Sequence, residues 1–156
     1  MGIVTIIHLN DIPMGYAEEL AQILNMDIKL KNAMGCKIVK TTGNEFITFC
    51  KNWARKQKAD MFVIILDKVA IGSISLSHQD VNKRSARIGY WISSNYWGNG
   101  YTSQAFSLVL GFAKLKSIQY ICASIKEDNL GSKRIWVKNG AKVELLNNRY
   151  NVSIDL

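Results

Sequence analysis

The sequence has 156 residues, 48% of them hydrophobic and 21% charged, so it is long enough for one buried core and too short for two. Eleven glycines, one proline and no biased tract argue against a disordered or collagen-like chain. The net charge of +8 favours anionic partners, without choosing between nucleic acid, phosphate esters and acidic membranes. We therefore expect a single globular domain over residues 1–156.

The first half of the chain predicts a strand, two helices and a hairpin. Its strands are runs of β-branched and other apolar residues, and its helices have apolar residues at helical spacing. A turn at Asp67 and Lys68 joins the two hairpin strands. The predicted elements are a strand at 3–9, helices at 15–24 and about 44–56, hairpin strands at 61–66 and 69–76, and a polar loop at 78–85.

The second half predicts a parallel crossover. An alternating strand at 85–93 leads into a helix at 101–116, whose apolar stripe fits packing on a sheet, and then into a strand at 117–125. Two strands joined through a helix of this length pair in parallel. A short helix at 131–138 and one or two strands within 142–155 close the chain. The fold class predicted from these elements is α+β.

Several kinds of site and location are not expected from the residue content. Cys36, Cys50 and Cys122 are odd in number and form no C-x-x-C pair, which favours a reducing cytoplasm. His8 and His78 are the sole histidines, so we expect no metal site. The apolar runs are far shorter than the roughly 20 residues of a membrane helix, and the N-terminus lacks a basic leader, so we expect no membrane segment or secretory signal.

The densest basic run allows two interpretations. Lys51, Arg55 and Lys58 fall on one face of a predicted helix. They form either a nucleic-acid patch or a solvated helix flank. We favour the flank, because no aromatic stacking array or nucleic-acid module accompanies the run, and we do not expect a nucleic-acid partner.

Two loops carry the features of an anion-binding site. Residues 95–102 join a strand end to a helix start, and Gly98 and Gly100 let the backbone approach a ligand closely. Residues 129–140 follow the next strand and place Lys133 and Arg134 in the first turns of a helix. Because both strands run in the same direction, we expect two helix N-termini to face one crevice and bind an extended phosphorylated ligand.

The stretches IGYWISSNYWGNGYTSQA and IKEDNLGSKRIWVKNGAK resemble the two signature motifs of the GNAT acyltransferase superfamily. The resemblance is to the branch that includes the bacterial ribosomal-protein N-terminal acetyltransferases, and it is specific over residues 86–142. The family's phosphate loop reads Q/R-x-x-G-x-G/A, and Asn95, Gly98 and Gly100 stand in that register. The resemblance implies a single-domain GNAT-like fold, with a mixed, mostly antiparallel central sheet, a splayed parallel strand pair and flanking helices.

The resemblance also implies an acetyl-CoA-dependent N-acetyltransferase that uses no metal. The backbone amides of residues 98–102 would hold the pyrophosphate, and the pantetheine would lie along the edge of the strand at residues 90–93. The N–H of Trp91 or Ile92 would face the thioester carbonyl. Ser132 matches a serine proposed to protonate the leaving thiolate, and Asn129 a cofactor-contacting asparagine, which makes these two the candidate catalytic residues. The expected cofactor contacts are Trp91, Ile92, Ser93, Asn95, Trp97, Gly98, Asn99, Gly100, Tyr101, Thr102, Asn129, Ser132 and Lys133.

Departures from the family pattern bear on the acceptor. Trp136 stands where many relatives have a tyrosine general acid, and Arg87 stands where a glutamate is common. No clear general base remains, which favours an α-amine, of a protein N-terminus, peptide or amino acid, over a lysine. The alternatives are a non-catalytic CoA-binding or regulatory module, and an acetyltransferase for a small amine such as an aminoglycoside or polyamine. A homodimer is left open.

Overall fold

The computed structural model of the protein describes residues 2–35 and 40–156, so Cys36 lies outside the described residues. Within these ranges the chain forms seven strands and five helices. In chain order they are β1 (Val4–His8), α1 (Met14–Met26), α2 (Ile28–Met34), α3 (Gly43–Lys56), β2 (Asp60–Leu66), β3 (Val69–Asp80), β4 (Ser85–Ile92), α4 (Tyr101–Leu115), β5 (Tyr120–Lys126), α5 (Leu130–Lys138), β6 (Lys142–Leu146) and β7 (Arg149–Asp155).

All of the strands belong to one sheet, in the order β1-β2-β3-β4-β5-β7-β6. Strands β4 and β5 pair in parallel, and every other neighbouring pair is antiparallel. The parallel pair is the crossover through α4 that the sequence predicts. The mixed, mostly antiparallel sheet with flanking helices is confirmed.

The parallel pair opens after a short contact. Three residue pairs join β4 to β5, the last of them Arg87 with Cys122. Beyond this point β5 stays paired with β7 as far as Lys126, while β4 stays paired with β3 as far as Ile92. A gap therefore opens between the two strands toward their carboxyl ends, which confirms the predicted splay.

Helices cover the two faces of the sheet unequally. Side chains of α4 and α5, among them Phe106 and Trp136, pack with β1 to β5 and β7 into one core. Helices α1, α2 and α3 pack on the opposite face against β2 and β3, with Val63 and Ile65 in a second core. On that face Ser124 and Asn151, which belong to β5 and β7, are exposed. The sheet is thus open on one side, next to the gap.

The structure differs from the predicted elements in two places. Helix α2 was not predicted, because Leu30 is its one buried residue and gives no periodic apolar signal. The end caps hold it: the Asp27 side chain accepts the Leu30 N–H at 3.0 Å, and Gly35 ends the helix in the left-handed conformation. Strand β3 runs to Asp80 through a bulge that includes His78, at φ 51°, so part of the predicted polar loop is strand.

Candidate active site

The start of α4 presents free backbone N–H groups to solvent. Gly98 and Gly100 both have φ 79°, a left-handed conformation that glycine adopts without strain. Gly100 is the N-cap residue of α4 and no side chain caps the helix. The first N–H groups of a helix have no partner within the helix and carry the positive end of its dipole. This loop, residues 98–102, is suited to an anion, and we call it the phosphate loop.

Side chains brace the segment between β4 and the phosphate loop. The indole N–H of Trp97 donates to the Ile92 carbonyl at 3.0 Å. The amide of Asn99 donates to the carbonyls of Tyr96 and Trp97, each at 3.1 Å. These hydrogen bonds tie the loop to the end of β4, so its N–H groups are held in place before any ligand binds.

Asp27, at the N-terminus of α2, fixes the same segment from the other side. Its carboxylate accepts hydrogen bonds from the Ser94 N–H and from the Ser94 hydroxyl, both at 2.7 Å. Burial opposes ionisation, but the hydrogen bonds from Ser94 and Leu30 outweigh it and hold the pKa of the Asp27 carboxyl below its usual range. Asp27 was not among the predicted site residues, because α2 was not predicted. The one available signal was an aspartate followed by a short run ending in glycine.

The end of α5 lies beside the start of α4. The Asn139 amide donates to the Ser103 hydroxyl at 3.2 Å, and Lys138 Nζ lies 3.6 Å from the place a Cβ on Gly100 would take. The N-termini of α4 and α5 therefore border the same gap at its opposite ends, instead of lying together at the phosphate loop. Because α5 runs toward the phosphate loop, its C-terminal lysine supplies the second positive charge there. The sequence did not reveal this, since a lysine in the last turn of a helix is commonplace.

The edge of β4 that faces the gap carries backbone groups directed at it. The Ser93 N–H donates to the Ile71 carbonyl at 2.8 Å, which puts the preceding residue, Ile92, in a non-hydrogen-bonded pair with β3. The two kinds of pair alternate along an antiparallel ladder. Trp91 is thus hydrogen-bonded to β3, whereas the N–H groups of Tyr90 and Ile92 point into the gap.

The N-terminus of α5 closes the far end of the gap with two hydroxyl groups. Tyr90 Oη lies 2.5 Å from Ser132 Oγ, and the Asn129 side chain caps the helix by accepting the Ser132 N–H at 3.2 Å. Burial raises the pKa of Tyr90 above its ordinary value, despite the hydrogen bonds to Ser132 and Trp136. Ser132 lies six residues before Lys138, about 9 Å along the helix axis. Helix α5 therefore links the two ends of the gap.

The structure brings together most of the site residues expected from the sequence. Tyr101 and Thr102 begin α4, and Ser93 is buried at the end of β4. Asn95 is exposed in the loop between them. Lys133 is not brought to the phosphate loop, because its Nζ lies 4.2 Å from the centre of the Tyr150 ring. As a cofactor contact Lys133 stays a prediction.

Trp136 is a core residue. It is 1% exposed and stacks edge-on against Phe106, with ring centroids 4.9 Å apart. An indole does not give up its proton at neutral pH, so Trp136 has no role as a general acid. The Tyr90 hydroxyl lies beside it and is hydrogen-bonded to Ser132.

The open face of the sheet holds a polar cavity beside the point where β4 and β5 separate. Its volume is about 520 Å³, and its lining includes Arg87, Ser124, Lys142 and Glu144. Glu144 is the carboxylate in this lining. The cavity is on the opposite face from α4 and α5.

No cluster of three or more histidine, cysteine, aspartate or glutamate side chains suited to a metal ion is present in residues 2–35 and 40–156. In the same ranges no helix has both the length and the apolar content needed to cross a membrane.

Comparison with known proteins identifies the family. The model of the acetyltransferase (GNAT) domain matches residues 15–142. The ribosomal-protein-serine acetyltransferase of Escherichia coli (strain K12) is 29% identical over 101 residues, which are 60% of this chain and 56% of that protein. The chain thus matches little more than half the length of this curated relative.

Solved structures share the fold. The microcin C7 self-immunity acetyltransferase MccE, in complex with acetyl-CoA and AMP, superposes with a TM-score of 0.78 and 20% identity, covering 98% of this chain and 92% of that one. RimL, a ribosomal alpha-N-protein acetyltransferase in complex with coenzyme A, gives 0.75 and 18%, covering 98% and 94%. The resemblance inferred from the two motifs is confirmed, and the chain belongs to the GNAT acetyltransferase domain family.

Proposed function

We propose that this protein transfers the acetyl group of acetyl-CoA to an α-amine, of a protein N-terminus, a peptide or an amino acid, by direct attack in a ternary complex. One observation carries the proposal: the phosphate loop with Lys138, the free edge of β4 and the Tyr90–Ser132 pair lie in that order along one gap. This order suits a ligand with phosphates at one end and a thioester at the other.

The donor end of the site rests on backbone groups. The N–H groups of residues 98–102 bind the pyrophosphate, assisted by the dipole of α4 and by the charge of Lys138. The free edge of β4 pairs with the pantetheine amides as an added strand would. These groups are held by Trp97, Asn99 and Asp27 without a ligand, so little ordering is required on binding.

The chemical step uses few side chains. The neutral amine forms a bond to the carbonyl carbon, and an N–H group of β4 stabilises the resulting oxyanion. The sequence leaves Trp91 and Ile92 as candidates for this N–H donor. Ile92 is favoured, because its N–H points into the gap whereas the N–H of Trp91 is bonded to β3. As the carbon–sulphur bond breaks, the Ser132 hydroxyl donates a hydrogen bond to the sulphur. Because a thiol has an ordinary pKa of about 8.5, the thiolate is a good leaving group and needs no stronger acid.

The acceptor assignment follows from the weakness of the available bases. A lysine amine, with a pKa near 10.4, is about 2.6 units harder to deprotonate than an α-amine near 7.8, a difference of about 3.5 kcal/mol. Glu144 in the open cavity acts through water at most, and Arg87 gives no help as a base. An α-amine is neutral at a lower pH, so it reacts without the strong base that a lysine would need. RimL, which shares the fold, is itself named for α-amine acetylation.

The reducing cytoplasm inferred from the cysteines stays a prediction, and a homodimer stays open. The non-catalytic module remains the rival function. The Tyr90–Ser132 pair argues against it, because a protein that only binds coenzyme A gains nothing from two hydroxyl groups at the thioester end.

The test is the release of free thiol from acetyl-CoA in the presence of N-terminal peptides, amino acids, polyamines and aminoglycosides. We expect the peptides or amino acids to give the highest kcat/KM. Ser132→Ala lowers kcat by about a hundredfold and leaves the affinity for coenzyme A unchanged, whereas Ser107→Ala, an exposed serine on α4, changes neither. Thiol release at background rate with every amine supports the non-catalytic module. A polyamine or aminoglycoside as the best acceptor refutes the α-amine assignment.

A further inference from the structure

The Tyr90 hydroxyl belongs to a hydrogen-bonded pair that the chemistry above does not use. Tyr90 Oη lies 2.5 Å from Ser132 Oγ, and the Trp136 indole lies beside it. Trp136 is 1% exposed, so the pair runs from the core, at Tyr90, to the edge of the gap, at Ser132.

The chemistry of the groups around Tyr90 Oη sets the direction of this hydrogen bond. The Trp136 indole nitrogen can donate a hydrogen bond but never accept one, so it offers no acceptor to the Tyr90 hydroxyl. The proton of Tyr90 is then left for Ser132. The Ser132 carbonyl is a poor alternative, because it lies 3.5 Å from Tyr90 Oη, at the limit of a hydrogen bond. A phenol is also the better donor of the two hydroxyls.

We propose that Tyr90 is a positioning residue for the reaction: by donating a hydrogen bond to Ser132 Oγ it turns the Ser132 O–H group into the gap, toward the leaving sulphur. This inference rests on the proposed acetyl transfer. It goes beyond that proposal by making the serine depend on a tyrosine of the neighbouring strand. Helix α5 lacks a tyrosine at position 136, and Tyr90 provides the phenol from β4 instead.

The proton and electron balance is as follows. The attacking nitrogen forms the carbon–nitrogen bond and releases one proton to water. The carbon–sulphur bond breaks and its electron pair stays on sulphur, which leaves as a thiolate that accepts a hydrogen bond from the Ser132 hydroxyl. The thiolate takes up a proton from water after it leaves, which balances the proton released by the amine. Ser132 and Tyr90 keep their own protons throughout, because a serine hydroxyl and a phenol are both weaker acids than a thiol.

A double-mutant cycle tests the dependence on Ser132. We expect Tyr90→Phe to lower kcat about tenfold with the KM for acetyl-CoA unchanged, and to have no further effect in the Ser132→Ala background. Tyr16→Phe, a partly buried tyrosine in the α1–α3 core, is the matched control and leaves kcat unchanged. An equal effect of Tyr90→Phe in both backgrounds, or none in either, refutes the proposal.

A binding measurement that needs no acceptor separates this proposal from the proposed function. Coenzyme A is added to each variant and the ionisation of its thiol is followed by the ultraviolet absorbance of the thiolate. If Tyr90 directs the Ser132 proton at the sulphur, the bound thiol ionises at the lowest pH in the wild type, at a higher pH in Tyr90→Phe and at the highest pH in Ser132→Ala.

Identical titration curves for the wild type and Tyr90→Phe refute the positioning role even in an active enzyme. A protein that binds coenzyme A, shows the expected order and acetylates nothing refutes only the transfer. Failure to bind coenzyme A refutes both.

Discussion

The two faces of the sheet beside the β4–β5 gap differ in how firmly their polar groups are held in position. On the face covered by α4 and α5, backbone groups and the Tyr90–Ser132 pair are held by caps, braces and a packed core. On the opposite face an open cavity of about 520 Å³ is lined by polar side chains of β4 to β7. The donor site proposed on the covered face is thus held in one geometry, whereas on the open face the proposed choice of acceptor would depend on a few exposed side chains.

This difference explains why the donor was easier to infer than the acceptor. The groups proposed to hold acetyl-CoA are mostly backbone, and their glycines, turn and helix start lie together in residues 95–102. The lining of the open cavity comes from four strands, with Arg87 and Glu144 more than fifty positions apart. A contiguous loop leaves a motif in the sequence, and a surface assembled from separate strands leaves none.

The largest expected effect is at Gly100. A tryptophan there both strains the backbone, at φ 79°, and fills the space in front of the α4 N–H groups. We expect Gly100→Trp to weaken the binding of coenzyme A more than a hundredfold, measured by calorimetry. Gly111→Trp is the matched control, because Gly111 is exposed on the same helix and a Cβ there meets nothing within 4 Å. Tight binding by the Gly100 variant would show that the phosphates lie elsewhere.

Two lysines of α5 allow a sharper test of the donor side. The structure places Lys138 beside the phosphate loop and Lys133 over the Tyr150 ring. We expect Lys138→Met to weaken coenzyme A binding about tenfold and to reduce its salt dependence, as the loss of one charged contact should. Lys133→Met should change the affinity less than twofold. The reverse order would restore Lys133 as the phosphate contact.

Arg87 tests the open face. If acceptors enter through the cavity, its charge disfavours polycations there by roughly 1 kcal/mol, at the effective dielectric of a protein surface. Arg87→Gln should then raise the kcat/KM for a polyamine about fivefold relative to a peptide α-amine, with coenzyme A affinity unchanged. Arg55→Gln removes the same charge from α3, far from the cavity, and should leave the ratio unaltered. Equal ratios in the two variants would mean that acceptors avoid this face.

The sequence predicted the strands and helices wherever burial is periodic. The crossover from β4 through α4 to β5 is an example, because its apolar stripe and its turn glycines are local signals. Helix α2 was missed because it buries a single residue and is held by Asp27 and Gly35 at its ends. Caps of this kind are weak signals when no apolar pattern lies between them.

Within the site, the residues that were missed are those placed by tertiary packing. Ser132 and the phosphate loop are recognisable along the chain, whereas Lys138 and Tyr90 gain their positions from the packing of α5 across α4 and β4. The direction of α5 also places the two helix N-termini at opposite ends of the gap. No spacing in the sequence fixes that direction.

The smallest expected effect concerns the bracing of the donor side by Asp27. Asp27→Asn leaves one acceptor oxygen for the two Ser94 donors, so we expect about a threefold weaker affinity for coenzyme A at pH 7, against no change for the exposed Asp11→Asn.

Because the pKa of Asp27 is lowered in the folded protein, its contribution to stability is fully present above the unfolded-state value of about 3.9. It is lost as the pH falls through the folded-state pKa. The difference in unfolding free energy between wild type and variant should therefore be constant from pH 7 to about 5 and shrink in stronger acid. A difference that persists undiminished in strong acid would show that the Asp27 carboxylate does not hold the segment, and the donor side would then be less firmly fixed than its hydrogen bonds indicate.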